Sequence, residues 1–183
     1  MQTFITYKSW AKTAATLDTP RLGKQRIDVV VLAESLLGER DGHKQDPAAY
    51  MWRGYEYALC IYGMMICLEW SNNRRFVDKE LFRLHELSVL AARRPGHEPG
   101  YVSPPWFGDA DVMRSHRSNL IRKDAETYAD RWPRTPENMP YLWPIPLDVG
   151  SYQLKVSKAD KELLRIGERK LPVDIKQRVV NLP

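Results

Sequence analysis

The sequence predicts an all-α, mostly helical fold: a compact single-domain bundle with long Pro/Gly-rich loops and a short extended N-terminal segment. Three observations predict it. Apolar residues recur at the three-and-four spacing of a helix face in several separate stretches. Those stretches open on capping residues and prolines and close on glycines, the signals that start and stop helices. Only one short run, Thr3-Phe-Ile-Thr-Tyr7, is dense in β-branched and aromatic side chains, and it reads as extended.

In chain order, Thr19-Pro20 opens a first helix, with Leu22, Val29, Ala33 and Leu36 on its apolar stripe and Gly38 at its end. Arg21, Lys24, Gln25 and Asp28 fall together on its polar side. Asp46-Pro47 starts a second helix, which the spacing of Met51, Tyr55, Ala58, Tyr62, Met65 and Trp70 carries to about Asn73. A third runs from Asp78 to about Arg93 on Leu81, Leu84, Leu87 and Leu90. Residues 94–108 hold four prolines and three glycines and read as a long loop. Asp109 caps a fourth helix to about Asp124, and Ala125 to Trp132 adds a short turn. Pro133 to Pro146, with five prolines, reads as irregular. The chain divides into a helical body, 1–150, and a basic helical appendage, 151–183. In the appendage Ser157-Lys-Ala-Asp160 is a capping box, Gly167 a stop and Pro172 a second start. Two short helices near 158–166 and 172–180 have the spacing of a helix-turn-helix, or pack on the body.

Composition narrows the function classes. With 43% hydrophobic and 28% charged residues the chain is a folded globular protein rather than a disordered one. The longest uncharged apolar run, Tyr57 to Leu68, is too short to span a bilayer, and no export leader is read, so a cytoplasmic location is expected. Cys60 and Cys67 stand seven apart in one helical stretch, about 10 Å along the axis, and read as reduced core thiols. His43, His85, His97 and His116 show no ligand spacing, so no metal and no cofactor is expected. Lys plus Arg exceed Asp plus Glu by 28 to 23, a net +5 that suits a polyanionic partner without requiring one.

Five motifs in a fixed order carry a resemblance. They are Met1-Gln-Thr-Phe4, Leu17-Asp-Thr-Pro-Arg-Leu-Gly-Lys-Gln-Arg-Ile-Asp28, Met51-Trp-Arg-Gly54, Pro105-Trp-Phe-Gly-Asp109 running on to Ser115-His-Arg-Ser-Asn-Leu-Ile-Arg-Lys-Asp124, and Pro140-Tyr-Leu-Trp-Pro144. Together, over about residues 1–145, the chain resembles the pyrimidine-dimer DNA glycosylases of the endonuclease V type. The resemblance implies a mostly helical, metal-free enzyme acting on duplex DNA. It further implies nucleotide flipping, attack on the sugar C1′ by an N-terminal α-amine, a Schiff base, and a strand nick by elimination. A carboxylate assists opening of the sugar.

Residue types fit that chemistry. An α-amine has a reference pKa of about 7.7–8.0, so it is substantially neutral, and nucleophilic, near working pH. The resemblance assigns the amine to Met1 and the carboxylate to Asp28, in the position of the family's glutamate. Two departures stand out. Gln2 is too large a second residue for Met1 to be removed, so the Met1 amine itself must serve. Asp28 is one methylene shorter than glutamate. Asp28 equally reads as the i+4 ion-pair partner of Lys24.

Arg21, Lys24, Gln25 and Arg26 are candidates for flanking phosphates, or a solvated helix face. Arg53 is a further candidate, or pairs with Glu56. Arg117, Asn119, Arg122 and Lys123 offer cationic and amide donors around one helix. His116 reads as a core-edge histidine. Trp106 would wedge into a base stack or hold a flipped base, or pack its loop. A non-catalytic DNA-binding protein that keeps the fold is the rival reading.

Overall fold

The computed structural model describes residues 1–94, 102–147, 150–172, 175 and 178. The chain divides into two compact units, residues 1–3 with 7–104, and residues 4–6 with 105 onward.

In the first unit, α1 (Trp10–Thr16) is capped by Ser9, whose side chain accepts from the Lys12 N–H. Helix α2 (Thr19–Leu37) starts one residue from its expected cap, since Asp18 rather than Thr19 caps it by accepting from Arg21 N. It ends as expected at Gly38, whose φ of +81° is the left-handed conformation that glycine adopts without penalty.

The single helix expected from Asp46 to Asn73 is three elements. Asp46 caps a short α3 (Pro47–Trp52). The chain turns at Arg53-Gly54, with Gly54 at φ +83°, and restarts as α4 (Glu56–Leu68). A π-helical turn, Glu69–Asn73, follows. The apolar spacing continues across the break because both helices face one core, so periodicity alone could not show the turn. Arg74 pins the π turn: its guanidinium pairs with Glu69 at 2.9 Å and donates to Leu17 O at 2.8 Å.

Helix α5 (Leu81–Ala92) packs on α4, which also packs on α2 and α1. A Cβ at Gly63 would lie 2.6 Å from Val29 Cγ1 and 2.9 Å from Leu84 Cδ1, so α2, α4 and α5 meet there with no room to spare. Trp52 stacks on Tyr62 at 5.6 Å, and Trp10 packs edge-on against the same Tyr62 ring.

The second unit holds α6 (Ala110–Lys123), α7 (Ala125–Tyr128), β1 (Leu142–Pro146), β2 (Tyr152–Val156) and α8 (Lys158–Arg165). The strands pair antiparallel, Leu142 opposite Val156 and Pro146 opposite Tyr152. This corrects the all-α expectation: the fold is mostly helical with a small two-stranded sheet. Of the prolines that made 133–146 look irregular, Pro144 and Pro146 lie in β1 and are tolerated because each strand of a two-stranded ribbon is an edge, where a missing N–H removes no ladder bond. The core of this unit gathers Val112, Met139, Leu142, Leu154, Val156, Leu171 and Ile175. The helix start read at Pro172 and the loop residues 95–101 fall almost wholly outside the described residues.

Candidate functional site

The first three residues of the chain are each tied down by a different partner. The Met1 amine forms an ion pair with Asp46 Oδ2 at 2.6 Å, both side chains being largely covered (10% and 16% exposed). Gln25 Nε2 donates to the Gln2 carbonyl at 2.9 Å. Thr3 Oγ1 accepts from Trp52 Nε1 at 2.9 Å and donates to the Met51 sulfur at 3.6 Å. Residues 51 and 52 of the Met-Trp-Arg-Gly motif and Gln25 of the Leu17–Asp28 motif thus serve the N-terminal segment.

Asp46 is held as firmly as the amine it meets. Its Oδ1 accepts from Ala48 N at 2.8 Å as the cap of α3, which leaves Oδ2 for the amine. A carboxylate in contact with an ammonium is placed to take its proton and so release the nucleophile. The sequence does not mark Asp46 as a functional residue. Asp-Pro at a helix start announces a cap and nothing more, and no sequence signal joins positions 45 apart.

The α2 candidates have their own partners. Lys24 Nζ holds both oxygens of Asp28 at 2.7 Å, the i+4 pair that the spacing allowed. Arg21 pairs with Asp18. Arg26 pairs with Asp78 at 2.5 Å and lies over the Trp70 ring at 4.6 Å. That arginine and two backbone N–H groups hold the Asp78 carboxyl below its usual range, against the opposing effect of burial. Gln25, expected to reach phosphates, is only 2% exposed and gives its amide to Gln2; this corrects the expectation. Arg53 is exposed, over the Tyr50 ring at 4.5 Å and donating to Lys44 O at 3.0 Å.

In the second unit the candidates divide by burial. Trp106 is 0% exposed, so it is no surface wedge, a second correction. Asn119 is likewise buried, which removes it from the DNA candidates. Arg117 donates from Nε and Nη2 to Thr6 O at 2.8 and 2.6 Å and lies 5.6 Å from the Trp132 ring. Arg122 and Lys123, in the last turn of α6, are exposed.

His116 is fully buried. Its Nδ1 accepts from Ile5 N at 2.9 Å, which leaves Nε2–H to donate to Leu142 O at 3.1 Å. Burial pushes its pKa down to about 3, opposed by the bond to Leu142. It is a neutral structural histidine. Cys60 and Cys67 are buried free thiols, and burial, followed by the charge of Glu56, raises Cys60 to about 12. Neither is a nucleophile near neutral pH. Among the described residues no cluster of three His, Cys, Asp or Glu side chains is placed to hold a metal, and no helix is long and apolar enough to cross a membrane.

The whole N-terminal arrangement, from the amine to α2 and α3, lies in a stretch that one family model covers. Residues 1–84 match the family model of pyrimidine dimer DNA glycosylases. The resemblance read from the motifs is borne out over these residues. The match takes in Met1, Asp28, Asp46 and the α2 cations and ends within α5. Trp106, Arg117, Asn119, Arg122 and Lys123 lie beyond it. No curated protein and no solved structure matches the chain.

Proposed function

We propose that the protein is a DNA glycosylase with associated lyase activity that works through the amine of residue 1. The observation that carries this reading is the amine–carboxylate pair, Met1 N to Asp46 Oδ2 at 2.6 Å. Asp46 takes a proton from the ammonium, and the neutral amine attacks C1′ of a damaged nucleotide. A C–N bond forms to the protein as the glycosidic C–N bond breaks, and its electron pair leaves on the base, which takes up a proton. Opening of the sugar ring gives the iminium. Loss of a C2′ proton and expulsion of the 3′ phosphate then nick the strand, and water releases the amine.

The sequence pointed to Asp28 for the proton transfers. Asp28 spends both oxygens on Lys24, and we assign the first transfer to Asp46. Gln25 is a positioning residue, since it fixes the carbonyl next to the reacting amine. Lys24, Arg53, Arg117, Arg122 and Lys123 are the cations we assign to the DNA backbone. Arg21, Arg26 and Lys24 each pair with a carboxylate, of Asp18, Asp78 and Asp28 respectively.

The test is borohydride trapping on an abasic duplex with the wild type and Asp46→Asn. Asparagine keeps the cap but cannot accept the proton. The proposal predicts trapping reduced on the order of 10²-fold near neutral pH, with the deficit shrinking as alkaline pH deprotonates the amine. Equal trapping by both proteins across the pH range would remove Asp46 from the reaction. A non-catalytic DNA-binding role is the second reading, favoured by the engagement of Asp28 with Lys24; it predicts DNA binding with no adduct at any pH.

A further inference from the structure

The second unit carries a concentration of positive charge that the amine chemistry does not use. Helix α8 places Lys158, Lys161 and Arg165 at i, i+3 and i+7, which at about 100° per residue puts all three within about 60° of one another. The packed residues lie on an adjoining face: Asp160 is 3% exposed, and Leu164 lies against the core of the unit. Lys158 and Arg165, about 10 Å apart along the helix axis, are exposed, and Lys161 between them is half-buried.

The chain then turns at Gly167, φ +79°, and two further cations are set in place by backbone and core packing. Lys170 N donates to Asn138 O at 3.2 Å, while the next residue, Leu171, is buried in the core. Arg169 pairs with Asp160 on α8. On the neighbouring residue of the same loop, Met139 O accepts from Arg122 Nη1 at 3.1 Å. Arg122 at the end of α6 and Lys170 are thus fixed to consecutive residues, 139 and 138.

Residues 158–170 hold five Lys or Arg against three Asp or Glu. Surrounding atoms desolvate the Arg122 guanidinium enough to lower its pKa, although the residue as a whole is exposed. Its hydrogen-bond partner among the described residues is a carbonyl oxygen. Arg169 lies close enough for its own pKa to be lowered, first by burial and then by the charge of Arg122. Of the nearby carboxylates, Asp160 is taken by Arg169 and Asp124 caps α7 through Thr127 N. Glu162 and Glu168 are exposed on the same segment and offset part of the charge. Arg169 has its anion in Asp160, while a polyanion can meet Arg122 and the exposed α8 cations together.

We propose that the end of α6 and the 158–170 segment form a backbone-binding ridge for duplex DNA, with Arg122, Lys158, Arg165 and Lys170 meeting successive phosphates. Cations on two elements joined through one loop suit a strand of regularly spaced phosphates. Phosphate interactions of this kind fix the protein on the duplex without reading sequence. The ridge lies outside residues 1–84, and it rests on the glycosylase reading only for its choice of DNA over other polyanions.

The test is equilibrium binding of the full chain to an undamaged duplex across a salt series, which needs no amine chemistry. The variant Lys158→Ala/Arg165→Ala/Lys170→Ala removes exposed cations and leaves Arg122 on its carbonyl. The slope of log affinity against log salt should fall by about 0.9 for each phosphate that is no longer neutralised, so by roughly 2–3 in all. Restoring charge with Lys158→Arg/Arg165→Lys/Lys170→Arg should restore the slope. Adding Arg122→Ala to the triple variant should lower it by about 0.9 more. An unchanged slope in the correctly folded triple variant overturns the ridge. So does an unchanged slope together with abolished binding to anionic phosphatidylserine vesicles, which would make the surface a membrane-binding one. Failure of abasic-site trapping with the slope change intact would refute the amine chemistry and leave the ridge standing.

Discussion

Acidification from about pH 7 to about pH 5 should destabilise this protein through His116. The native ring is neutral, with Nδ1 accepting from Ile5 N and Nε2 donating to Leu142 O, and its pKa is held at about 3 against 6.5 for a free histidine. The unfolded chain therefore binds one proton more than the native state between those two values. The stabilisation is fully present above about pH 6.5 and is lost as pH falls from there towards about 3. One pKa unit corresponds to about 1.4 kcal/mol, so lowering the pH from about 7 to about 5 should cost about 2 kcal/mol. Urea unfolding followed by tryptophan fluorescence at a series of pH values measures this directly. The control is His116→Gln, which offers an acceptor and a donor but does not titrate. It should be less stable than the wild type at neutral pH and lose most of the slope between about pH 7 and 5. The Asp78 and Asp109 carboxyls, held below their ordinary range, add their own losses only at lower pH. An identical slope in wild type and His116→Gln would refute the assignment of a buried neutral imidazole.

Two further outcomes follow from the packing around the N-terminal segment. Gly63→Ala drives a Cβ to 2.6 Å from Val29 Cγ1 where α2, α4 and α5 meet, so it should destabilise by about 1–3 kcal/mol, read as a lowered Tm. Gln25→Leu leaves the Gln2 carbonyl without its donor; it should lose about 1–3 kcal/mol of stability and slow abasic-site trapping more than it weakens duplex binding.

Much of the helical framework is legible in the sequence because its punctuation is local. The Gly38 stop, the Asp46, Asp109 and Ser157 caps, and the α5, α6 and α8 cores can all be read from residues a few positions apart. What escapes depends on relations that no local pattern encodes. Helix α1 has too short a stripe to register, with Trp10, Thr13, Ala14 and Thr16 as its buried residues. The β1–β2 pair hides behind prolines that an edge strand can accept.

The site divides in the same way. Lys24 and Asp28 are readable as a pair because they are four apart on one helix. Asp46 is not readable as the amine's partner, since only the fold brings it to Met1. Gln25, Asn119 and Trp106 mislead for one reason. Polar and aromatic residues in a motif look like ligand-binding groups, and here they are buried in the protein's own interior. Lys24, Arg53, Arg122 and Lys123, by contrast, are exposed.

The amine at residue 1 is the centre of this account, and peptide mapping of a borohydride-trapped adduct on an abasic duplex tests it most directly. The account predicts a covalent sugar remnant on the N-terminal peptide, on the α-nitrogen of an unblocked residue 1. An adduct on a lysine such as Lys24, or none from folded protein that binds the duplex, would contradict it.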